Sequence, residues 1–329
     1  MPYSPVRISV IIPSRNGAKR LESCFKALLN VLGKEDEIVL VNDASTDNTI
    51  DVAGKFPCRL LNLPEGVGAA RARNIGAQVA KNEILLFIDD DVLVKPETFQ
   101  RLRFNFENPE LSGVVGVLDD EIPFKNSASN IKNLWMRFTY LTCPQEGVGL
   151  FYTSIAAIRK NVFETVGGFD NHYSGASLED TEFGQRVWQQ GYRIRIDPQL
   201  SVTHVKHYTW SSILKTDYER ARALTHMKLR KWGQEFYTSV PMTFQLAIPI
   251  LFFSPVFLAL CVFFKISLGW SVLPLGLFFI LTNSWIRFLF RSKGWRLGIA
   301  GVLFHPIDCI LVGLGMLSAC WRHLKGHSY

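Results

Sequence analysis

Short apolar runs alternate with segments of helical periodicity along the N-terminal part of the chain. Runs with the length and β-branched character of buried parallel strands cover residues 7–13, 37–41, 58–63 and 84–88. Between them, the spacing of apolar side chains predicts helices over residues 18–31, 45–54 and 66–80. This alternation predicts an α/β fold with a mostly parallel sheet and helices on both faces.

The pattern weakens over residues 109–151, where no element is assigned, and then resumes. Residues 162–170 end in a glycine turn, and a further helix is predicted over residues 178–190. Within that helix, Glu182 and Arg186 have the i,i+4 spacing of an ion pair. The Ser/Gly-rich segment 174–177 before it is expected to be a flexible loop.

The C-terminal third differs in character, because long apolar stretches replace the α/β pattern. An amphipathic segment, residues 209–235, comes first, and its Lys and Arg side chains predict a helix lying along a membrane surface. Apolar stretches then cover residues 244–264, 266–289 and 297–320. The first two are long enough to span a bilayer as helices. The third contains His305, Pro306 and Asp308 and is expected to span, kink or turn back.

The positions of the basic residues predict which side of the membrane each segment faces. The basic segment before Phe244 and the loop 287–296 are expected on the cytoplasmic side. The basic tail 322–325 prefers the same side, whereas three complete crossings would place it on the other. The expected organisation is an α/β domain, a juxtamembrane segment and a membrane region of two or three apolar helices, over residues 1–208, 209–235 and 240–321.

Charge and cysteine usage narrow the classes of function. The formal net charge is +7, and much of the excess lies near the apolar segments, which suits an anionic membrane surface. No aromatic–basic platform for nucleic acid is present. The six scattered cysteines form no C-x-x-C pair, so neither a zinc site nor a disulfide framework is expected. Because the N-terminus lacks the apolar run of a signal peptide, the α/β domain is expected in the cytoplasm.

Polar clusters directly follow three of the predicted strands. Ser14-Arg15-Asn16, Asn42-Asp43 and Asp89-Asp90-Asp91 stand at carboxyl ends, where open α/β sheets bind their ligands. Three adjacent carboxylates repel one another unless a cation compensates, and oxygen ligands suit Mg²⁺ or Mn²⁺. A solvated acidic loop or a helix N-cap is the alternative interpretation of this triplet. His204 is either a further metal or phosphate ligand or a structural histidine.

Three more features have both a functional and a structural interpretation. Asp43 is placed to accept a hydrogen bond from a nucleotide base or ribose, or to shape a turn. Arg71 and Arg73 open a helix after a glycine turn, which favours a bound diphosphate, although arginine is common on solvated helix faces. Glu179-Asp180 supplies either a general base or charge that stabilises a helix N-terminus.

Taken in order, these motifs resemble those of family 2 glycosyltransferases with the GT-A fold, a Rossmann-like α/β architecture. The resemblance covers about residues 7–205 and is specific as a set. Its strings are IIPSRN from Ile11, VNDASTDNT from Val41, ARNIG from Ala72, IDDD from Ile88, GGFD from Gly167 and ED at Glu179.

The resemblance implies roles for individual residues. Asp89 and Asp91 would be the D-x-D pair, with Asp91 the more direct ligand of Mn²⁺ or Mg²⁺ and His204 a weaker candidate. Asp180 would be the catalytic base, with Glu179 beside it. The implied donor-binding residues are Pro13, Ser14, Arg15, Asp43 at the base, Arg71, Arg73 at the nucleotide or its phosphates, Asp89 and the variable middle residue Asp90.

Two positions depart from the family pattern. Asn42 stands where the family often has a first Asp, but the second carboxylate, Asp43, is retained. The Q-x-x-R-W motif of processive synthases has its nearest counterpart in KLRKW from Lys228, which lacks the Gln and the Arg. That departure and the few apolar segments argue against a polymer-extruding synthase.

The expected function is therefore that of an integral-membrane, metal-dependent, inverting hexosyltransferase in cell-envelope polysaccharide or glycolipid biosynthesis. The expected donor is a nucleotide sugar, UDP-linked by preference, and the expected acceptor is lipid-linked, because the basic segment tethers the catalytic domain to a bilayer. The catalytic domain is expected at the cytoplasmic face, of the plasma membrane in a bacterium. The alternatives are a non-catalytic GT-A scaffold subunit of an assembly complex and a membrane transport component.

Overall fold

The structure, a computed structural model, describes residues 6–173, 178–230, 233–265 and 267–325. The chain forms two compact units: unit 1 is Met1–Pro123 with Cys143–Lys206, and unit 2 is Phe124–Thr142 with His207–Tyr329. The expected catalytic domain was continuous over residues 1–208, whereas the structure assigns part of that range to unit 2. The expected flexible loop 174–177 and the end of the KLRKW string at 231–232 lie outside the described residues.

Unit 1 is built on an eight-stranded sheet with the strand order β3-β2-β1-β4-β7-β6-β8-β5. Strands β1 to β4 are mutually parallel, and β7 runs antiparallel to both β4 and β6. The sheet is therefore parallel in its N-terminal half and mixed beyond it. The strands are β1 (Ile8–Ser14), β2 (Glu37–Asn42), β3 (Arg59–Asn62), β4 (Ile84–Phe87), β5 (Val92–Leu93), β6 (Gly113–Leu118), β7 (Ala156–Arg159) and β8 (Ile194–His204).

Helices connect these strands, and the four predicted strands and four predicted helices of this unit are confirmed with shifted ends. The helices, numbered along the whole chain, are α1 (Ala18–Leu29), α2 (Thr49–Ala53), α3 (Ala69–Val79), α4 (Pro96–Phe106), α6 (Lys160–Val166) and α7 (Glu179–Gln189). Helix α3 packs closely on the sheet at Gly76, where an added Cβ would lie 2.6 Å from Ile11 Cγ2. This close approach holds the N-terminal half of α3 above the ends of β1 and β4.

The carboxyl ends of the central strands carry the polar motifs. Ser14 and Asn42 are partners in the register of β1 and β2, and Asp89 to Asp91 follow β4. Immediately afterwards β5 pairs antiparallel with the end of β8, and Val92 is the partner of His204. Pairing of two strands that are distant in sequence therefore brings His204 beside the acidic triplet.

Unit 2 is helical, and it includes one helix from the middle of the sequence. Its helices are α5 (Ser127–Leu141), α8 (Trp210–Arg230), α9 (Met242–Phe252), α10 (Ser254–Phe263), α11 (Leu273–Leu281) and α12 (Asn283–Leu324), with a 3₁₀ turn at Leu268–Val272. Ile131, Leu134 and Phe138 of α5 share a buried cluster with Phe244 and Trp285. Burial of this apolar face explains why residues 124–142 belong to the helical unit. Helix α12 breaks at Gly294, whose φ is 77° and ψ −174°.

Among the described residues, α12 is the one helix long and apolar enough to cross a membrane by itself. Helices α9 and α10 reach that length only as a pair, and the pair bends by 44°. Both statements concern length and composition alone, so the two or three membrane helices expected from the sequence stay a prediction. The surface of unit 2 exposes large apolar side chains, including Phe263, Ile280 and Leu303.

Candidate active site

Asp89, Asp91 and His204 come together where β4 ends. One potential ligand atom from each residue lies within 4.8 Å of the other two. The β5–β8 pairing holds the imidazole next to the triplet, and His204 Nε2 lies 3.2 Å from Asp91 Oδ1. The structure thus unites the three residues that the sequence proposed as metal ligands, although two of them are more than a hundred positions from the third.

Asp91 carries the feature that best suits a cation. Within the described structure its Oδ1 is inaccessible to solvent and makes no hydrogen bond. A buried acceptor left without a partner costs free energy, and a buried carboxylate also needs a compensating charge. Two carboxylates and an imidazole form a donor set that Mn²⁺ accepts readily, and the carboxylates also suit Mg²⁺. The residues present therefore fit a divalent cation.

Asp89 is held in place from two sides. Arg73 Nη2 donates to its Oδ1 at 2.8 Å, and Ser154 Oγ donates to its Oδ2 at 2.8 Å. Burial by itself would raise the pKa of Asp89, but the charge of Arg73 and the bond from Ser154 outweigh it, so the pKa is lowered. Asp89 is thus kept ionised. Ser154 was not identified from the sequence, because it lies between residues 151 and 162, where no motif or element was predicted.

Arg73 links the metal cluster to the start of α7. Its side chain is only 4% exposed, and Nη1 donates to Glu179 Oε1 at 2.7 Å while Nη2 binds Asp89. Both terminal nitrogens therefore contact carboxylates of this chain. The sequence favoured a contact between Arg73 and the nucleotide phosphates, whereas the structure places Arg73 and Glu179 as a buried pair that positions the acidic groups.

Asp90, the middle residue of the triplet, lies on the opposite side of the chain. Its carboxylate accepts a bond of 2.5 Å from Ser14 Oγ and bonds of 2.9 and 3.0 Å from Arg20. Asp90 and Asp91 lie in a turn that the bond from the Val92 N–H to the Asp89 carbonyl oxygen closes, and in this turn Asp90 is separated from Asp89 and Asp91. Burial raises the pKa of Asp90 more than Arg20 and Ser14 lower it.

The roles expected for Asp90 and Ser14 at the donor stay predictions, and in the described structure the two side chains bind each other. Both side chains are buried, and their hydrogen bond joins the ends of β1 and β4. The contribution of Arg20 was missed, because its position in α1 carries no sequence signal that marks it as a partner of Asp90.

Asp43 fixes the glycine turn that precedes α3. Its Oδ1 accepts from the backbone N–H of Val67 at 2.6 Å, and its Oδ2 from that of Gly68 at 3.1 Å. Gly68 has a φ of 84°, which side chains rarely tolerate. The guanidinium of Arg15 lies against the same turn at Gly66. These contacts agree with both interpretations of Asp43. Its carboxylate shapes the turn, and the turn lies beside Arg15 of the expected donor site.

Other residues of the expected donor site surround that turn. Arg15 and Arg71 are exposed, and Pro13 is half-buried near the end of β1. The two exposed guanidinium groups and the helix N-terminus of α3 together form a surface with positive potential. Such a surface suits the diphosphate of a nucleotide sugar.

Asp180 lies in the first turn of α7, and it is buried to 8% exposure. Its Oδ1 accepts from the backbone N–H of Thr181 at 2.6 Å. The carboxylate is close enough to Arg73 to act on its pKa, so it belongs to the same group of charges as Asp89 and Glu179. The structure thus brings the expected base near the metal cluster.

The Gly-Gly-Phe-Asp loop before α7 is held by two polar side chains. Asn74 donates to the carbonyl of Phe169 at 2.7 Å and accepts from its N–H at 2.9 Å. Arg186 pairs with Glu182 as the sequence predicted, and it also donates to the carbonyl oxygen of Gly168 at 2.6 Å. This loop and helix α7 are therefore tied together.

A curled α/β sheet with a D-x-D cluster at a strand end, beside a helix-starting turn suited to a diphosphate, defines a GT-A glycosyltransferase fold. Residues 9–167 match the family model described as "Glycosyl transferase family 2", and residues 136–209 match "N-terminal domain of galactosyltransferase". Residues 9–167 therefore belong to glycosyltransferase family 2, and the fold is GT-A.

Proteins of similar sequence are also glycosyltransferases, and a solved mannosyltransferase has a similar fold. An uncharacterized glycosyltransferase of Haemophilus influenzae is 25% identical over 223 residues, which cover 64% of this chain and 71% of that protein. The probable glycosyltransferase YdaM of Bacillus subtilis is 26% identical over 254 residues, which cover 70% of this chain but only 58% of YdaM. The mannosyltransferase PcManGT from Pyrobaculum calidifontis, solved with GDP-Man and Mn²⁺, shares the fold with a TM-score of 0.60 at 17% identity, over 99% of this chain and 89% of that one.

Proposed function

We propose that this protein transfers a sugar from a nucleotide-sugar donor, with inversion, to a membrane-borne acceptor. The observation that carries the proposal is the grouping of Asp91, with its unpartnered oxygen in the described structure, with Asp89 and His204. An inaccessible Oδ1 without a hydrogen bond, 3.2 Å from His204 Nε2, is an arrangement that a bound cation would stabilise.

The proposed chemistry divides the charged groups between two tasks. Asp180 accepts the proton of the acceptor hydroxyl as that oxygen forms a bond to the anomeric carbon, while the bond from this carbon to the diphosphate breaks. Asp89, Asp91 and His204 would hold a divalent cation, which would supply positive charge to the leaving diphosphate. Arg73 keeps Asp89 ionised and Glu179 in place, and Arg15 and Arg71 offer positive charge to the diphosphate.

The donor is proposed to be a nucleoside diphosphate sugar bound at the turn that Asp43 holds. The fold shared with a mannosyltransferase that was solved with GDP-Man and Mn²⁺ supports this class of donor and this class of cation. The UDP preference expected from the sequence stays a prediction, and the assay below includes both nucleotides.

The acceptor is proposed to be lipid-linked and the catalytic unit to work at the cytoplasmic membrane face. Two features of unit 2 support this proposal. Its surface exposes large apolar side chains, such as Phe263 at 79% and Ile280 at 72%, which soluble proteins rarely display together. Basic residues flank these apolar helices, and basic flanks favour the cytoplasmic side.

The test is release of nucleoside diphosphate by detergent-purified protein. UDP-, GDP- and dTDP-sugars are offered one at a time with Mn²⁺ or Mg²⁺ and a membrane lipid extract. We expect lipid-dependent release with one donor, lost on chelation and in Asp91→Ala. Asp180→Asn is expected to reduce turnover by a factor of about 100 or more, as for loss of a general base.

The matched control is Asp51→Asn, because Asp51 is an exposed carboxylate on α2 outside the site. Unchanged turnover in Asp180→Asn would show that Asp180 is not the catalytic base. Absence of release with every donor, in protein that melts cooperatively, would favour the non-catalytic scaffold.

A further inference from the structure

Helix α12 is the strongest candidate for a membrane crossing by length, but its neighbour in the fold argues against that orientation. After the break at Gly294, its second part runs over residues 295–324, a length of about 45 Å. Helix α8 lies beside this part. Contacts between the two helices, both in unit 2, occur near both ends and near the middle of α8.

The contacts follow the same order in both helices. The rings of Trp210 and Phe304 are 4.5 Å apart, and those of His226 and His323 are 6.0 Å apart. Between them, a Cβ added at Gly315 would lie 2.5 Å from the carbonyl oxygen of Tyr218, so the two backbones nearly touch. Helix α8 therefore runs parallel to residues 304–323 of α12 for about 28 Å.

Helix α8 is strongly charged along this length. Its charged residues are Lys215, Asp217, Glu219, Arg220, Arg222, Lys228 and Arg230. If residues 304–323 crossed the hydrocarbon, α8 would cross with them. A Lys, Arg or Asp side chain carries a high free-energy cost in the hydrocarbon of a bilayer, and α8 would bring Lys215, Asp217, Arg220 and Arg222 into it. Pairing between charges lowers this cost but does not remove it.

The interior between α5, α8 and α12 is polar at the same level. Lys132 of α5, which is 4% exposed, forms an ion pair with Asp217. The two side chains line a small cavity together with His305 and Asp308 of α12. These two α12 residues lie near the middle of the segment 295–324, which is the position of the bilayer centre in a crossing. A second set of ionisable groups thus argues against that orientation.

The opposite side of α12 is a continuous apolar stripe. Its exposed members recur every three or four residues, which keeps them on one face of the helix: Ile299, Leu303, Ile307, Ile310, Leu314, Leu317, Trp321 and Leu324. By the helical period, this face lies opposite Gly315 and His323, which face α8. An outward apolar face with the charged helix α8 on the opposite side suits a helix that lies in a membrane interface.

Basic and aromatic residues mark both ends of the segment. The guanidinium of Arg296 lies 5.5 Å from the ring centre of Trp295, and the ammonium group of Lys325 lies 4.6 Å from that of Trp321. Trp and basic residues concentrate at the headgroup level of membranes. An orientation in the membrane plane puts both ends at one headgroup layer. It therefore places the tail 322–325 on the cytoplasmic side, where its charge prefers to be.

From these observations we propose that residues 295–324 lie in the plane of the cytoplasmic membrane interface, with the apolar stripe among the upper acyl chains and α8 on the water side. The ligand is a bilayer containing anionic lipid, whose headgroups contact the basic ends. The proposal rests on the membrane association in the proposed function. It places the third apolar stretch on one side of the membrane instead of through it.

The experiment measures the depth of single nitroxide labels in the full-length protein, reconstituted in vesicles of phosphatidylethanolamine and phosphatidylglycerol. Native cysteines are replaced, and one cysteine is introduced at Ile299, Ile310, Leu317 or Leu324 on the stripe. Lys215, exposed on α8, is the matched control. Accessibility to oxygen relative to a water-soluble nickel complex reports depth.

An in-plane helix places the four stripe labels at one depth, about 5–10 Å below the headgroups, and the label at residue 215 in water. A crossing helix places residue 310 more than about 10 Å deeper than residues 299 and 324, which overturns the proposal but leaves membrane association intact. Stripe labels that all report water would overturn both the in-plane orientation and the proposed membrane association. Because the five labelled positions are exposed, the labels are expected to leave the fold unchanged, and thermal unfolding of the protein without its native cysteines checks that background.

Discussion

Replacing Asp91 and Asp90 by asparagine, one at a time, separates metal binding from structural support in the D-x-D segment. The two substitutions remove the same charge at adjacent positions. In the described structure, Asp91 presents an unpartnered oxygen beside Asp89 and His204, whereas Asp90 is bound by Ser14 and Arg20. We expect Asp91→Asn to abolish the thermal response to Mn²⁺, and Asp90→Asn to lower stability while keeping that response.

The magnitudes follow from the contacts. A cation at 100 times its Kd stabilises the folded protein by about 2.7 kcal/mol. For a unit of this size, 1 kcal/mol shifts Tm by about 2–4 °C, so Mn²⁺ is expected to raise the wild-type Tm by roughly 5–11 °C. Loss of the charge-assisted bonds to Asp90 costs about 1.5–3 kcal/mol, and the lower end applies because Arg20 is 39% exposed. Asp90→Asn is therefore expected to lower Tm by roughly 3–6 °C.

The assay is thermal unfolding of detergent-purified protein, stripped with a chelator and then titrated with Mn²⁺. Without metal, Asp91→Asn is expected to change Tm less than Asp90→Asn, because the Oδ1 of Asp91 has no hydrogen bond to lose within the described structure. A Mn²⁺-dependent rise that persists in Asp91→Asn would refute the assignment of this residue as a ligand. A rise that disappears in Asp90→Asn would refute the division of roles between the neighbours.

Two further predictions concern other charges of unit 1. Arg73→Lys is expected to lower the free energy of unfolding by about 1.5–3 kcal/mol, because an ammonium group reaches only one of the two carboxylates that the guanidinium joins. Denaturant unfolding curves measure this loss, with Arg71→Lys as the exposed control. Equal unfolding midpoints for the two variants would contradict the prediction. Burial would raise the pKa of Asp119, but Lys95, Thr203 and Ser201 outweigh it and lower that pKa. The ionised Asp119 therefore stabilises the fold above its unfolded pKa of about 3.9, and this stabilisation is lost as pH falls through the folded pKa. The Tm difference between wild type and Asp119→Asn is expected to be largest near neutral pH and to shrink below pH of about 3.9. A difference that does not change with pH would show that the charge of Asp119 does not stabilise the fold.

Much of unit 1 could be predicted from local pattern, because its strands and helices are short and strongly periodic. The apolar runs ending at Pro13, Val41 and Ile88 identified the strand ends to within one residue, and open α/β sheets bind ligands at those ends. The ion pair of Glu182 and Arg186 followed from helix geometry alone. Region 109–151 was not predictable, because β6 and α5 there lack periodicity clear enough to separate strand from helix.

Side-chain orientation within the motifs depended on the tertiary structure. Local sequence pattern does not show where the three carboxylates point, but the turn after β4 directs Asp90 towards Ser14 and places Asp89 and Asp91 beside His204. The partners Arg20 and Ser154 come from α1 and from the segment before β7, so their contacts depend on packing between distant parts of the chain.

For unit 2, the sequence determined the apolar character and the tertiary structure decided which faces are exposed. Hydropathy counts residues 297–320 as one apolar stretch, because it averages over all faces of a helix. Only the packing shows that one face of this stretch lies against the charged helix α8, while the opposite face is a stripe of exposed apolar side chains. The orientation of a helix in a membrane depends on the helices packed against it as well as on its own composition. A helix that enters the hydrocarbon takes with it the neighbour that it contacts.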